Sequence, residues 1–465
     1  MKAEYSPIDR ASSVPLILLL RSGVAWLALS GVLGLVAAAQ LISPHFLDSW
    51  SFTTYGRVTA LAETSFVYGW LANAGVALAL WSLGRLSGEP LRGQGWALGG
   101  WLFWNLGVLA ALVGIVHGDS TGFTLLGLPR YVHLVLLFSY AALAVPGILA
   151  WSGRQRKISY ASQWYAVAAL FLFPWILSVV HVTLFAWPAR GVLQPIIAGW
   201  YAQCAWTLWI APLVLSVAYF VVPKETGKVL PSYEFASLGF WTLIFVGGLT
   251  GGRHLIGGPV PAWIPALAVV SCALLLFHTF IVFLNLRGAV FARGVASRLI
   301  SIGLAAYILG ALVDAVTSFH SVAEHTQFTY FDTLQQQLAL YAGASTVLFG
   351  GIYFALPRIT GNLWTSAGLV RAHVGATVVG LLLLLISLGG AYYVQSQGLL
   401  DAKVSFATIT AQTRPWLLGA FYGQAILLVG NIALLVNLLA SACWITDFSA
   451  PATFNPAPAL ETSAT

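Results

Sequence analysis

Residues 332–358 read DTLQQQLALYAGASTVLFGGIYFALPR. The stretch is long enough to cross a hydrocarbon core of ~30 Å as a helix rising 1.5 Å per residue. It nevertheless carries three consecutive glutamines, Gln335, Gln336 and Gln337. A polar run at membrane depth is costly unless every amide finds a partner. Consecutive helical positions lie about 100° apart, so one narrow face cannot hold all three. Something in the surrounding protein must therefore want these amides there, or must once have wanted something else. The segment fixes the class as a helical membrane bundle.

The rest of the chain agrees. It is 59% hydrophobic and 8% charged, with a mean hydropathy of +0.86, whereas a soluble domain carries roughly 25% charged residues. Apolar runs near 22–42, 60–84, 95–116, 128–151, 159–187, 196–222, 233–256, 263–285, 295–320, 332–358, 370–397 and 413–445 make twelve expected spans. The loops are short, so residues 1–446 are read as one membrane domain, and the Pro/Ala/Thr-rich residues 447–465 as a disordered tail. Lys2, Arg10 and Arg21 precede the first apolar run without a small-residue cleavage site, which predicts a retained span. Of the 21 Lys and Arg residues, only Arg57, Arg130, Arg190, Arg253, Lys403 and Arg414 fall opposite the termini, so fifteen fall on the termini's side. The positive-inside rule then places both termini inside. The net charge of +7 is spread over loops and forms no patch for nucleic acid. Cys204, Cys272 and Cys443 lie in apolar runs without paired spacing, which argues against a disulfide framework.

The ionisable residues within spans are Glu63, His133, His181, Arg253, His254, His278, Asp314, Asp332 and His373. Such groups are functional candidates, although a lone histidine on an apolar helix more often packs through a hydrogen bond than ligates a metal. No His-x-His, His-His or Glu-x-x-His pairing occurs, so a dedicated metal site is not expected. Asp314 needs a cation, a proton or water, and Arg253 and His320 are its candidate partners. It reads equally as a structural anchor and as part of a proton path. Glu63 and Asp332, near span starts, are expected to reach the interface, with a proton-path role as the alternative.

Several segments together resemble a known family. They are 158–165 (ISYASQWY), 180–182 (VHV), 199–201 (GWY), 220–227 (FVVPKETG), 232–233 (SY) and 240–245 (FWTLIF). Residues 55–57 (YGR), 350–357 (GGIYFALP), 369–373 (LVRAH) and 406–415 (FATITAQTRP) extend the match over roughly 50–440. In order and spacing they resemble subunit I of the heme-copper oxidases, nearest the cbb-type cytochrome c oxidase branch and the nitric oxide reductase large subunit. The resemblance implies a twelve-span all-α bundle. It also implies a low-spin heme b held between histidines of spans 2 and 10, and a high-spin heme on a second span-10 histidine two residues earlier. Copper would take one histidine of span 6 and an adjacent pair of span 7, beside a span-7 tyrosine.

Carried onto this chain, the span-2 heme ligand falls on Ala62, beside Glu63, and the span-10 ligands fall on Gln335 and Gln337. The copper ligands fall on Gln203 and on Arg253 and His254, and the tyrosine on Gly247. Of the six ligand positions only His254 keeps an imidazole. A neutral amide is a poor axial donor to heme, and a guanidinium beside the remaining histidine repels a cation. Arg253 is expected to fill the vacated volume and donate to the carbonyls of Gln203, Gln335 and Gln337 as a hydrogen-bonded plug. These readings predict a cofactor-depleted, non-catalytic subunit of a respiratory complex. It would sit in the bacterial inner membrane amid lipid and dock redox partners such as a membrane-anchored cytochrome c. The competing readings are a working oxidase or nitric oxide reductase that binds heme b and copper through other histidines, and a proton- or ion-conducting transporter.

Overall fold

The computed structural model describes residues 6–47, 49–155 and 158–442; the expected tail, 447–465, and Cys443 lie outside them. The described residues form helices and connecting turns without a strand. Twelve helices are long and apolar enough to span a membrane: span 1 Pro7–Ile42, span 2 Tyr55–Ser87, span 3 Gln94–Val116, span 4 Val132–Ser152, span 5 Ala161–Ala186 and span 6 Leu193–Thr226. They continue as span 7 Tyr233–Leu255, span 8 Trp263–Phe291, span 9 Val295–Thr317, span 10 Phe331–Thr360, span 11 Ala367–Leu400 and span 12 Phe406–Ser441. The expected number holds.

Several boundaries differ from hydropathy, each where polar residues extend a helix past the lipid. Span 1 begins at Pro7 instead of residue 22: Ser6 caps the Ile8 N–H at 3.3 Å and Pro7 opens the first turn. The added turns carry Asp9, buried against Arg85 at 2.8 Å and accepting from Trp81 Nε1 at 2.9 Å, which pins them to the end of span 2. Span 12 begins at Phe406 instead of 413, because Ser405 caps the Thr408 N–H at 3.2 Å ahead of a run of Thr and Gln.

Three helices are enclosed and nine enclose them. In spans 2, 6 and 10, 94% of the most apolar window is buried; in the other nine the share lies between 33% and 50%. Each enclosed span also contains π-helical turns, at Ser65–Leu71, Ala205–Ile210 and Gln337–Ser345. Such turns widen the backbone spiral and re-aim side chains, and occur often at functional sites. Direct bonds tie the three helices together. Trp70 Nε1 donates to Ser345 Oγ at 2.9 Å, and the hydroxyls of Tyr68 and Tyr201 lie 2.6 Å apart. Tyr68 OH also reaches the Leu125 carbonyl at 2.7 Å, fixing the loop between spans 3 and 4 over the site.

Spans 9 and 10 meet through Gly303, where an added Cβ would lie 2.5 Å from Thr346 Oγ1 and 2.7 Å from the Gly343 carbonyl. Gly310, two turns further along span 9, faces open space. Overpacking typically costs about 1–3 kcal/mol. Gly303→Ala is therefore expected to lower the thermal midpoint, followed by tryptophan fluorescence in detergent, while Gly310→Ala leaves it unchanged. Equal effects would contradict this packing.

Candidate functional site

Two cavities lie against the enclosed helices. The larger, about 690 Å³, is lined by Glu63, Gln203, Arg253, His254, Asp314, Asp332, Gln335 and Gln336, with the loop residues Gly122 and Phe123 and the start of span 6. The smaller, about 350 Å³, lies between spans 1, 2, 10, 11 and 12 and is lined by Ala62, Glu63, Gln336, Gln337, Tyr341 and leucines such as Leu384 and Leu427. The glutamine triplet thus divides as its 100° spacing requires. Gln335 faces the larger cavity, Gln337 the smaller, and Gln336 lines both.

The positions that the resemblance assigns to the low-spin heme, Ala62 and Gln337, line the smaller cavity together. Gln203, Arg253, His254 and Gln335, assigned to copper and the second heme, line the larger one. Gly247 lines neither. A Cβ there would lie 2.7 Å from the Cβ of Thr207, a residue that itself fronts the larger cavity one turn after Gln203. No tyrosine fits at 247 unless Thr207 moves.

Arg253 settles the fate of Asp314. Its guanidinium lies 2.7 Å from Asp314 Oδ2, and its Nε donates to His254 Nε2 at 3.1 Å. His320, the other candidate partner, pairs with Glu324 at 3.0 Å instead. The expected plug, in which Arg253 donates to the glutamine carbonyls, is not what forms. A carboxylate is a stronger acceptor for a guanidinium than an amide is, so Asp314 takes Arg253, and the glutamines front open cavity. Gln335 Nε2 is left buried without a partner. Glu63 departs from expectation too. Its carboxylate turns inward to accept the backbone N–H of Leu125, in the wall that both cavities share. Span 2 starts five residues before its hydropathic boundary, at Tyr55, which puts Glu63 more than two turns inside the helix. Asp332, by contrast, is exposed at the start of span 10 on the edge of the larger cavity.

The remaining histidines are occupied or elsewhere. His278 lines the larger cavity, but its Nδ1 lies 2.8 Å from the Gly239 carbonyl and its Nε2 2.9 Å from Tyr307 OH. His373 is fully buried, with Nδ1 2.8 Å from Tyr353 OH and its ring edge-on to Phe349. Among the described residues no three His, Cys, Asp or Glu side chains form a group able to hold a metal ion. Sequence spacing missed one encounter: His133 and His181, 48 residues apart, face each other across spans 4 and 5. Their positions near the same end of adjacent antiparallel helices were the available signal.

Comparison with known proteins places this architecture. Residues 14–426 match the family model described as Cytochrome C and Quinol oxidase polypeptide I; the chain belongs to that family. It is 23% identical to cytochrome c oxidase subunit 1 of Rhodobacter capsulatus over 474 residues, covering 95% of this chain and 87% of that protein. It is also 23% identical over 383 residues to the Cbb3-type cytochrome c oxidase subunit CcoN1 of Stutzerimonas stutzeri, covering 78% of this chain and 80% of that one. Among solved structures, a heme-copper terminal oxidase dimer studied by cryo-EM superposes with a TM-score of 0.70 at 14% identity, covering 95% of this chain and 88% of the other. The protein is thus a cytochrome c oxidase subunit I-like membrane subunit with the heme-copper oxidase fold.

The Arg253–Asp314 pair carries a further expectation. The pair is half-buried; removing one partner of a fully buried pair costs about 3–5 kcal/mol, while replacing both by apolar groups is often neutral, and part of that cost is expected here. Asp314→Leu should therefore lower the thermal midpoint markedly, and Arg253→Leu/Asp314→Leu should regain most of it. A double variant as unstable as the single one would assign the loss to something other than the unpaired charge.

Proposed function

We propose that this chain is a cofactor-free, non-catalytic member of its family. In this reading it serves in the bacterial inner membrane as a scaffold and docking subunit for heme-bearing partners such as a membrane-anchored cytochrome c. The observation that carries the reading is the engagement of Arg253. Its guanidinium holds Asp314 at 2.7 Å and the Nε2 of His254 at 3.1 Å. The one imidazole left among the six ligand positions thus has a nitrogen bonded to a permanent cation, which opposes a metal ion beside it. The donors around both cavities do not fit heme b or copper. Ala62 offers a methyl, Gln335 and Gln337 offer amides, and His278 has both ring nitrogens engaged. Ligation through other histidines, which an active oxidase or nitric oxide reductase would need, finds no support in this arrangement.

The smaller cavity supplies a direct test, since Ala62 and Gln337 line it from opposite helices. Two imidazoles give heme iron the axial donors that these residues lack. Ala62→His/Gln337→His, expressed in a heme-producing host, is expected to acquire the reduced spectrum of a six-coordinate heme b, while the unaltered protein shows none. Heme at equal levels in both would contradict the reading.

One observation favours a second role, proton conduction. Glu63 and Gln336 stand in the wall common to both cavities, where a carboxylate joins two spaces able to hold water. In reconstituted vesicles this role predicts proton flux that Glu63→Gln abolishes; flux indifferent to that change would exclude Glu63 as its carrier.

A further inference from the structure

The loop between spans 3 and 4 forms part of the wall of the larger cavity. Gly122, Phe123, Thr124 and Leu125 line it, together with Gln194 and Pro195 at the start of span 6. By the charge bias of the loops, this end of the bundle faces outward. The loop is braced within itself. Ser120 Oγ donates to the Gly127 carbonyl at 3.0 Å, Thr121 Oγ1 to the Leu126 carbonyl, and the Asp119 N–H to the Gly114 carbonyl at 2.9 Å. Its outer side, residues 117–120 with Gly122 and Thr124, is exposed, whereas Leu126 and Leu128 are fully buried and anchor its far end.

One residue fastens this strap to the enclosed helices. The N–H of Leu125 donates to the Glu63 carboxylate, and the carbonyl of the same residue accepts from Tyr68 OH at 2.7 Å. The Tyr68 and Tyr201 hydroxyls lie 2.6 Å apart, which carries the connection from span 2 to span 6. Leu125 is held in a conformation that leucine rarely adopts. Its φ is +57°, in the left-handed region, where Cβ crowds the following carbonyl oxygen. The described residues include two other non-glycine positions of positive φ, Leu47 and Phe328, and both are exposed; Leu125 is buried. Backbone strain at a buried position persists only where the surroundings impose it. Here the side chains of Glu63 and Tyr68 do so.

We propose that residues 118–125 are a latched strap closing the outer mouth of the larger cavity, with Glu63 and Tyr68 as the latch. When the latch is broken, Leu125 relaxes out of the left-handed region. The strap then swings about the anchored Leu126 and admits small polar solutes from the outer side. Glu63 thereby controls access to the cavity whose wall it forms, a role separate from carrying protons. The proposal stands on the bonds of the loop and not on the cofactor content of the site.

Cys272 reports on access, because it is a free, buried thiol that lines the larger cavity. The test takes Cys204→Ala/Cys443→Ala as background and exposes right-side-out membrane vesicles to a cationic, membrane-impermeant methanethiosulfonate. The reagent transfers its thioalkyl group to the Cys272 sulfur and releases a sulfinate, and mass spectrometry of the purified chain follows the labelled fraction over time. Slow labelling is expected in the background chain. Labelling faster by about tenfold or more is expected in Glu63→Ala and in Tyr68→Phe, since losing one buried hydrogen bond shifts a local opening equilibrium by that order. Glu63→Gln, whose amide oxygen still accepts the Leu125 N–H, should label more slowly than Glu63→Ala. Ser152→Ala, which removes an exposed hydroxyl at the inner end of span 4, should match the background. Thermal melts of each variant establish folding, and if Glu63→Ala fails to fold, Tyr68→Phe, which keeps the buried ring, decides alone. Fast labelling of the background chain, no acceleration in a folded latch variant, Glu63→Gln as fast as Glu63→Ala, or equal acceleration in Ser152→Ala would each overturn the proposal.

Discussion

Lipid offers no hydrogen bonds, and the arrangement of the twelve spans follows from that constraint. The enclosed spans 2, 6 and 10 carry polar groups deep in the bundle: Glu63, Asn73, Gln203, Thr207 and the glutamine triplet. Helices carrying such groups must be sheathed by protein, and the nine outer spans supply the sheath with faces apolar enough to meet acyl chains. Where the enclosed helices loosen into π turns, the tyrosine, tryptophan and serine bonds among them hold the bundle together. The cavities open beside those turns, so site and scaffold share one origin.

Within the larger cavity one ion pair stands beside two further carboxyl groups, Glu63 and Asp332. Arg253 and Asp314 neutralise each other, and His254 leans on the same guanidinium. The glutamines contribute dipoles without charge. The counter-ion for Arg253 of span 7 comes from span 9, where Asp314 lies 61 residues further along the chain. The family fold is shared, and on the proposed reading the chemistry of its centre is not, since function follows the site and not the bundle.

Much of this was legible in the sequence. Hydropathy gave the number of spans, and the 100° step of Gln335, Gln336 and Gln337 already required surroundings on several sides. The span ends were hidden because Asp9, Arg85 and the threonines of span 12 look like loop residues until their partners and caps are known. The destination of Arg253 was not legible either. It depended on which acceptor lay within reach, and sequence could not rank Asp314 against three amides. Glu63 was misplaced for a related reason: its position within span 2 depended on where the helix begins, and its partner is a backbone N–H of a loop. The His133 and His181 encounter joins residues whose spacing carries no periodic signal.

The central claim is that this subunit holds no heme and no copper of its own. The most direct measurement is a pyridine hemochrome spectrum with copper analysis on the purified, intact chain, after separation from any heme-bearing partner. The account predicts heme b and copper near zero per chain. Stoichiometric heme b, with or without copper, would contradict it.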